Sequence, residues 1–204
     1  GRCIYRDDHA ALREKGLDAD AVVYALAVKG RYFSSLYKTS LDRHFVDGHR
    51  PVMAGKKVAY LLSGPVSQAP DLERLLQAQD ELSRMTCAGT VVDEGATVAE
   101  VARLCQDLGR QLIDDIESDR RAPWTFLGKG GHLVFRDLVY ESSGVLTEDF
   151  RYYKAHGLFD YPYKDWRNRL TQSLISAAGR LPSKGKDDQT SNMLAPLERV
   201  VAQA

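Results

Sequence analysis

The run Ala19-Asp20-Ala21-Val22-Val23-Tyr24-Ala25-Leu26-Ala27-Val28, closed by Gly30, decides the fold. Ten residues are short for a helix, and apolar side chains, several of them β-branched, fill nearly every position after Asp20. The run therefore reads as a strand buried on both faces. Two further runs share its texture. Lys57 to Leu62 (Lys-Val-Ala-Tyr-Leu-Leu) leads into Ser63-Gly64-Pro65, and Cys87 to Asp93 (Cys-Ala-Gly-Thr-Val-Val-Asp) is a third strand weakened by Gly89. Helical patterns lie between and after them. Phe33, Leu36, Tyr37 and Leu41 recur at helical intervals around Ser34 to Arg43. Pro70 suits a first helical turn, followed by a stripe of Leu72, Leu75, Leu76, Leu82 and Met85. Thr97 and Glu100 have the spacing of a capping box, and Val98, Val101, Leu104, Cys105, Leu108, Leu112 and Ile116 form the stripe behind it. Strands alternating with helices predict βαβ units, a parallel sheet and right-handed crossovers.

Outward from this core the texture changes. The first twenty residues are polar and charged. Eleven of the eighteen aromatic residues fall between Trp124 and Trp166, in a stretch without strand periodicity that reads as helical. Its closing helix carries Trp166, Leu170, Leu174, Ile175 and Ala178. So many aromatic rings are costly to leave in water, so the stretch is expected to pack on the sheet domain or on another subunit. Ser183 to Asn192 is a polar linker before a short terminal helix at Met193 to Ala204. The expected organisation is an α/β domain over 1–119, an aromatic-rich helical extension over 120–182, and a linker with terminal helix over 183–204.

Composition bounds the function. The chain has 204 residues, with 28 basic against 28 acidic side chains, and so lacks the electrostatic footprint that grips a phosphate backbone. Nucleic-acid binding is not expected, and no apolar run is long enough for a membrane helix. Three cysteines (Cys3, Cys87, Cys105) form no CxxC and point to reduced thiols and a cytoplasmic protein. The five histidines make no i, i+4 pair and no HExxH, so no metal site is expected. Ser34-Ser35 and Ser142-Ser143 carry no nucleophile signature, and Asp7-Asp8 and Asp114-Asp115 read as solvated acids. Gly128-Lys129-Gly130-Gly131-His132 reads either as an anion-binding nest of amides or as a turn before a helix near Phe135.

Open α/β sheets bind ligands beyond the carboxyl ends of their strands. Those ends are Leu26 to Tyr32 and Ser63 to Ser67. There, small residues and free amides could let a flat aromatic cofactor lie against the main chain, or Gly30 and Gly64 simply turn it.

Ala19 to Ala25, followed by Arg31-Tyr32-Phe33-Ser34-Ser35-Leu36-Tyr37-Lys38-Thr39 and Asp42-Arg43, resembles the flavodoxin-like NAD(P)H-dependent FMN oxidoreductases. Lys57 to Pro65 is similar to their fourth strand and second flavin loop. Thr125 to Gly128, Phe135-Arg136-Asp137 and Arg151 to Leu158 are similar to the C-terminal extension of one subgroup. The resemblance covers most of Cys3 to Leu181. It implies a flavodoxin-like parallel sheet whose first strand, phosphate loop, first helix and second strand would precede Gly1. Where the family has Thr-Pro-x-Tyr, this chain has Leu26, Ala27, Val28 and Lys29. Cys3 with Asp7-Asp8 resembles the last cysteine of cluster-binding members, and one such thiol cannot assemble a four-cysteine cluster.

The resemblance implies an FMN-dependent transfer of electrons or hydride from NAD(P)H, as substrate, to a small-molecule acceptor. The flavin carries that chemistry, so no catalytic acid, base or nucleophile is nominated. Val28, Lys29, Gly30, Ser63, Gly64 and Pro65 would bound the ring, mainly through their backbone, with Lys29 adding positive charge. The complete form or assembly, rather than this chain alone, is expected to hold FMN, within a homo- or hetero-oligomer. The alternative is a cofactor-free scaffold or partner subunit that retains the fold.

Overall fold

A computed structural model describes residues 7–160 together with 166, 167, 170, 171, 173 and 174. The chain divides into two compact units, Gly1–Val139 and Tyr140–Ala204. The first is the α/β unit. Helix α1 (His9–Asp18) leads into strand β1 (Ala21–Lys29), a short strand β2 (Tyr32–Phe33) and helix α2 (Ser35–His44). Strand β3 (Lys57–Ser63), helix α3 (Asp71–Leu82), strand β4 (Thr86–Val92) and helix α4 (Val98–Glu117) follow, then α5 (Phe126–Glu141). The sheet order is β2-β1-β3-β4. β1, β3 and β4 run parallel, with Ala21 opposite Lys57 and Lys57 opposite Thr86, and the β3–β4 ladder shifts register at Val58/Ala59. The expected parallel α/β sheet is therefore present, each strand lying within two residues of its predicted bounds.

The core sits on one face. Leu26, Val28, Val58, Tyr60 and Leu62 of the sheet pack with Phe33 and Tyr37 and with Leu72 and Leu76 of α3. The opposite face carries α4 alone, which lies on β4 and β3. β1 is consequently not buried on both faces, because α4 does not extend over it. Val23 is 50% exposed, and Ala25 is exposed as well. The helix itself is only half-buried for the same reason. Val98, placed in its buried stripe by periodicity, is 89% exposed. Its start follows the sequence closely. Thr97 Oγ1 accepts the Glu100 amide at 3.3 Å, and the Thr97 amide donates to Glu100 Oε2 at 2.8 Å. Such a cap contributes about 1 kcal/mol.

The glycine-rich segment is neither nest nor turn. Gly128, Gly130 and Gly131 lie inside α5, which starts at Phe126. A Cβ on Gly128 would fall on Glu81, and one on Gly131 would fall on the Leu82 side chain. Glycine is needed because α5 approaches the end of α3 more closely than a side chain permits. The amides of Thr125 and Gly128 do bind an anion, but it is the chain's own Glu81 carboxylate, at 2.9 and 2.8 Å. Burial pushes the Glu81 carboxyl up, yet hydrogen bonds from Thr125, Gln77 and Gly128 outweigh this and hold it below its usual range. A matched pair of substitutions tests the packing. Gly131→Ala is expected to cost about 1–3 kcal/mol by overpacking, whereas Gly130→Ala, whose Cβ meets nothing within 4 Å, should stabilise by about 0.5–1 kcal/mol. Denaturant melts of both decide it, and equal effects would disprove the close approach.

In the second unit, α6 (Thr147–Ala155) carries the buried Tyr153. Phe150 and Phe159 meet at 5.0 Å between ring centroids, Tyr153 and Phe159 at 5.4 Å, and Tyr140 and Phe159 at 5.3 Å. Part of the aromatic excess is thus absorbed within the unit itself. Trp166, Leu170 and Leu174 are helical and exposed. Ile175 and Ala178, the linker and the expected terminal helix lie outside the described residues, as does Cys3. No helix among the described residues is long and apolar enough to cross a membrane.

Candidate functional site

The carboxyl ends of β1, β3 and β4 come together at one rim of the sheet. β1 ends in a two-residue hairpin. Val28 pairs with Phe33 and Lys29 with Tyr32, while Gly30 (φ +57°) and Arg31 (φ +65°) make the turn. Two consecutive positive φ values match the right-handed twist of the flanking strands, and Gly30 takes the first without strain. The Ser34 amide then closes onto the Ala27 carbonyl at 2.9 Å.

β3 ends at Ser63, and Gly64 (φ +112°) turns directly against β1. A Cβ on Gly64 would lie 2.8 Å from the Val28 carbonyl oxygen. The two loops nominated from the sequence therefore touch, and only glycine allows it. Of the six residues, Val28 turns its side chain into the core, Lys29 and Gly30 are exposed in the hairpin, and Ser63, Gly64 and Pro65 form the facing loop.

β4 contributes residues the sequence reading passed over. Asp93 Oδ1 accepts the Gly64 amide at 2.9 Å, and Glu94 accepts the Ser67 amide at 2.8 Å and the Ser67 hydroxyl at 2.6 Å. The Ser63 hydroxyl and then the Gly64 amide hold the Asp93 carboxyl below its usual range, and the Ser67 hydroxyl and amide do the same for Glu94. The signal that finds these acids was available. Asp93-Glu94 follow the third strand's carboxyl end, where the same topological rule points.

Behind the loops, on the α4 face, lies a cavity of about 340 Å³. Its walls include Ala25, Ala27 and Leu61 with Val101 and Cys105 of α4, and Ser63 and Asp93 make its polar end. That is within the size range of small-ligand sites, which are mostly apolar with a few placed polar groups. Cys87 is elsewhere. It packs against the core on the α3 face, so the two cysteines among the described residues stand on opposite faces of the sheet. No cluster of three or more His, Cys, Asp or Glu suited to a metal occurs among the described residues.

The site fits a flat ring better than a phosphate. Two loops in contact, an apolar wall and a polar end suit an aromatic heterocycle. The Gly64 and Ser67 amides, the natural donors to a phosphate here, are already bonded to carboxylates, whose charge opposes a second anion.

No family model matches the chain. It is 30% identical over 162 residues to the iron–sulfur flavoprotein of Archaeoglobus fulgidus, across 77% of this chain and 74% of that protein.

Proposed function

The chain belongs to the flavoprotein family represented by that relative, and on this premise we propose that it serves a flavin-type redox role, with the flavin ring at the rim formed by β1, β3 and β4. The observation that carries the reading is the cavity beside Ser63, where two strand-end loops meet through Gly64. FMN is the flavin proposed, with NAD(P)H as reductant and a small molecule as acceptor. When bound, the flavin supplies the hydride and electron chemistry. The chain's own residues position the ring. Gly64 lets backbone approach it, Val28 to Gly30 and Ser63 to Pro65 bound it, and Lys29 offsets negative charge near it.

Phosphate anchorage is assigned outside these loops, to other residues or another chain. The iron–sulfur cluster in the relative's name does not carry over. This sequence has three cysteines where a cluster takes four thiolates, and Cys87 and Cys105 cannot share one because the sheet separates them.

Titration with FMN and with riboflavin, followed by flavin fluorescence, tests this reading. The 204-residue chain is expected to purify colourless and to bind both flavins weakly, with affinities within about threefold of each other. A phosphate makes several charge-assisted hydrogen bonds of about 1.5–3 kcal/mol each, so a chain preferring FMN by orders of magnitude would place the phosphate site within it. Gly64→Ala should abolish binding of both, since the new Cβ collides with the Val28 carbonyl.

A second reading is favoured by one observation. The amides at Gly64 and Ser67 are satisfied internally, as they would be in a cofactor-free scaffold. Binding of neither flavin, by the chain or its assembly, would establish that reading.

The assembly proposal rests on β1. Beyond the hairpin at Val28–Lys29, its outer edge has no strand partner among the described residues, and Val23 and Ala25 are exposed beside it. Unpaired apolar edges template further pairing. Sedimentation at micromolar concentration should find an oligomer; a purely monomeric chain would refute the proposal.

A further inference from the structure

A second cavity, of about 410 Å³, lies on the α3 face of the sheet and takes no part in the flavin reading. Its apolar wall includes Leu76 and Met85, and Asp80 stands in its lining. Asp80 is 4% exposed. One carboxyl oxygen, Oδ1, accepts the Tyr60 hydroxyl at 2.5 Å. The other makes no hydrogen bond to any described residue, although a buried carboxyl oxygen without a donor is costly. Seven residues earlier on the same helix, Glu73 lines the cavity and is exposed. Seven residues are about two turns, so the two carboxyl groups are roughly 10 Å apart along the helix.

A buried acceptor at one end, an apolar wall and a second carboxylate at the mouth define a complementary ligand. It carries N–H donors and positive charge on an aliphatic stem. We propose that this cavity is a binding site for a small aliphatic ammonium ion, which donates to the unpaired oxygen of Asp80, and that diamines bind more tightly than monoamines by also reaching Glu73.

The other polar groups around Asp80 leave this role open. From α3, Glu81 is already committed to Thr125 and the Gly128 amide. From β4, the Cys87 thiol donates to the Gly89 carbonyl at 3.7 Å. From β1 and α2, Tyr24 and Tyr37 are phenols whose ionisation burial pushes up. The 122–125 segment brings no ionisable side chain. No cation therefore stands opposite Asp80 among the described residues of these elements. Burial first, and Glu81 in addition, raise the Asp80 carboxyl to about 7 against the Tyr60 hydrogen bond. An arriving cation favours the carboxylate and so expels a proton near neutral pH.

Calorimetry on the full chain with butylammonium, putrescine, 1-butanol and butyrate tests this. Putrescine and butylammonium should bind, and the neutral and anionic isosteres should not. Affinity should rise about tenfold from pH 6 to pH 8 as Asp80 ionises. At pH 7 the heat should depend on the buffer's ionisation enthalpy, reporting about half a proton released per ligand. Asp80→Asn should abolish binding, and Glu73→Gln should erase the preference for the diamine. Absence of binding at millimolar amine, equal binding of 1-butanol, or undiminished binding by Asp80→Asn with its fold confirmed by circular dichroism would each overturn the proposal.

Discussion

Replacing Asp80 by asparagine is expected to stabilise the protein at pH 8 by about 2–4 kcal/mol and to flatten its pH dependence. The folded chain raises this carboxyl from 3.8 to about 7, chiefly by burial. Between those values the native state holds a proton that the unfolded chain has released. Stability contributed by this group is therefore full at low pH, falls as pH rises through the window and levels off above it. A raised acid thus behaves oppositely to the usual salt-bridged carboxylate. Each pH unit within the window is worth up to about 1.4 kcal/mol, so the wild-type protein should lose about 3 kcal/mol from this group between pH 5 and pH 8. The asparagine side chain cannot ionise and still accepts from Tyr60. Urea melts of both proteins across that range measure the difference, and parallel stability curves would disprove the assignment. The acids held low, Asp115 and Glu81 among them, titrate below this range. His9, which burial lowers, works in the opposite direction in both proteins and cancels in the comparison.

Arg120→Met is expected to cost about 3 kcal/mol. Asp115 is 1% exposed and sits in the last turn of α4, where the helix dipole disfavours an acid. It is kept there by Arg120, whose Nε and Nη2 donate at 2.6 and 2.5 Å, and by Gln111 at 2.7 Å. Arg120 Nη2 also donates to the Cys87 carbonyl at 2.8 Å, and its own carbonyl accepts the buried Lys57 Nζ at 2.7 Å. The guanidinium thus locks the end of α4 to the amino-terminal ends of β3 and β4. Removing one partner of a buried pair costs about 3–5 kcal/mol, and the lower end applies because Arg120 is partly exposed. The pair's stabilisation is present above the ordinary carboxylate pKa and is lost as pH falls through the depressed value of Asp115. Arg120→Lys should recover only part of the loss, since an ammonium cannot make the two-pronged contact. A loss below about 1 kcal/mol for the methionine variant would show that the pair contributes little.

These two acids mark where reading the sequence stops. The strands were legible because each is a short apolar run between turn residues, and α4 was legible from a cap whose partners are three residues apart. Asp80 and Asp115 were not, because an acid's burial is set by Tyr60 and Arg120, positions that the fold brings near. The exposed half of β1 was hidden for a related reason. Val22 to Val28 is apolar on both sides, so only the reach of α4 decides which side is covered. Helix α1 escaped notice because its residues form no apolar stripe, and none of them is buried. The loop rim was accessible through the rule about strand ends, yet that rule was applied to two strands and not to the third. Asp93 and Glu94, which take the amides a phosphate would use, were missed there.

The seating of α5 on Glu81 bears on the order in which the chain folds. Three glycines in its first two turns each cost about 1 kcal/mol relative to alanine, so the segment has little tendency to coil into a helix alone. Its first turn is completed by a carboxylate donated from α3, and the close approach that its glycines permit exists only once Leu82 is in place. Helix α5 therefore condenses onto a finished β3–α3–β4 substructure rather than nucleating it. On the ribosome, where α3 emerges well ahead of α5, the sequence of events follows the direction of synthesis.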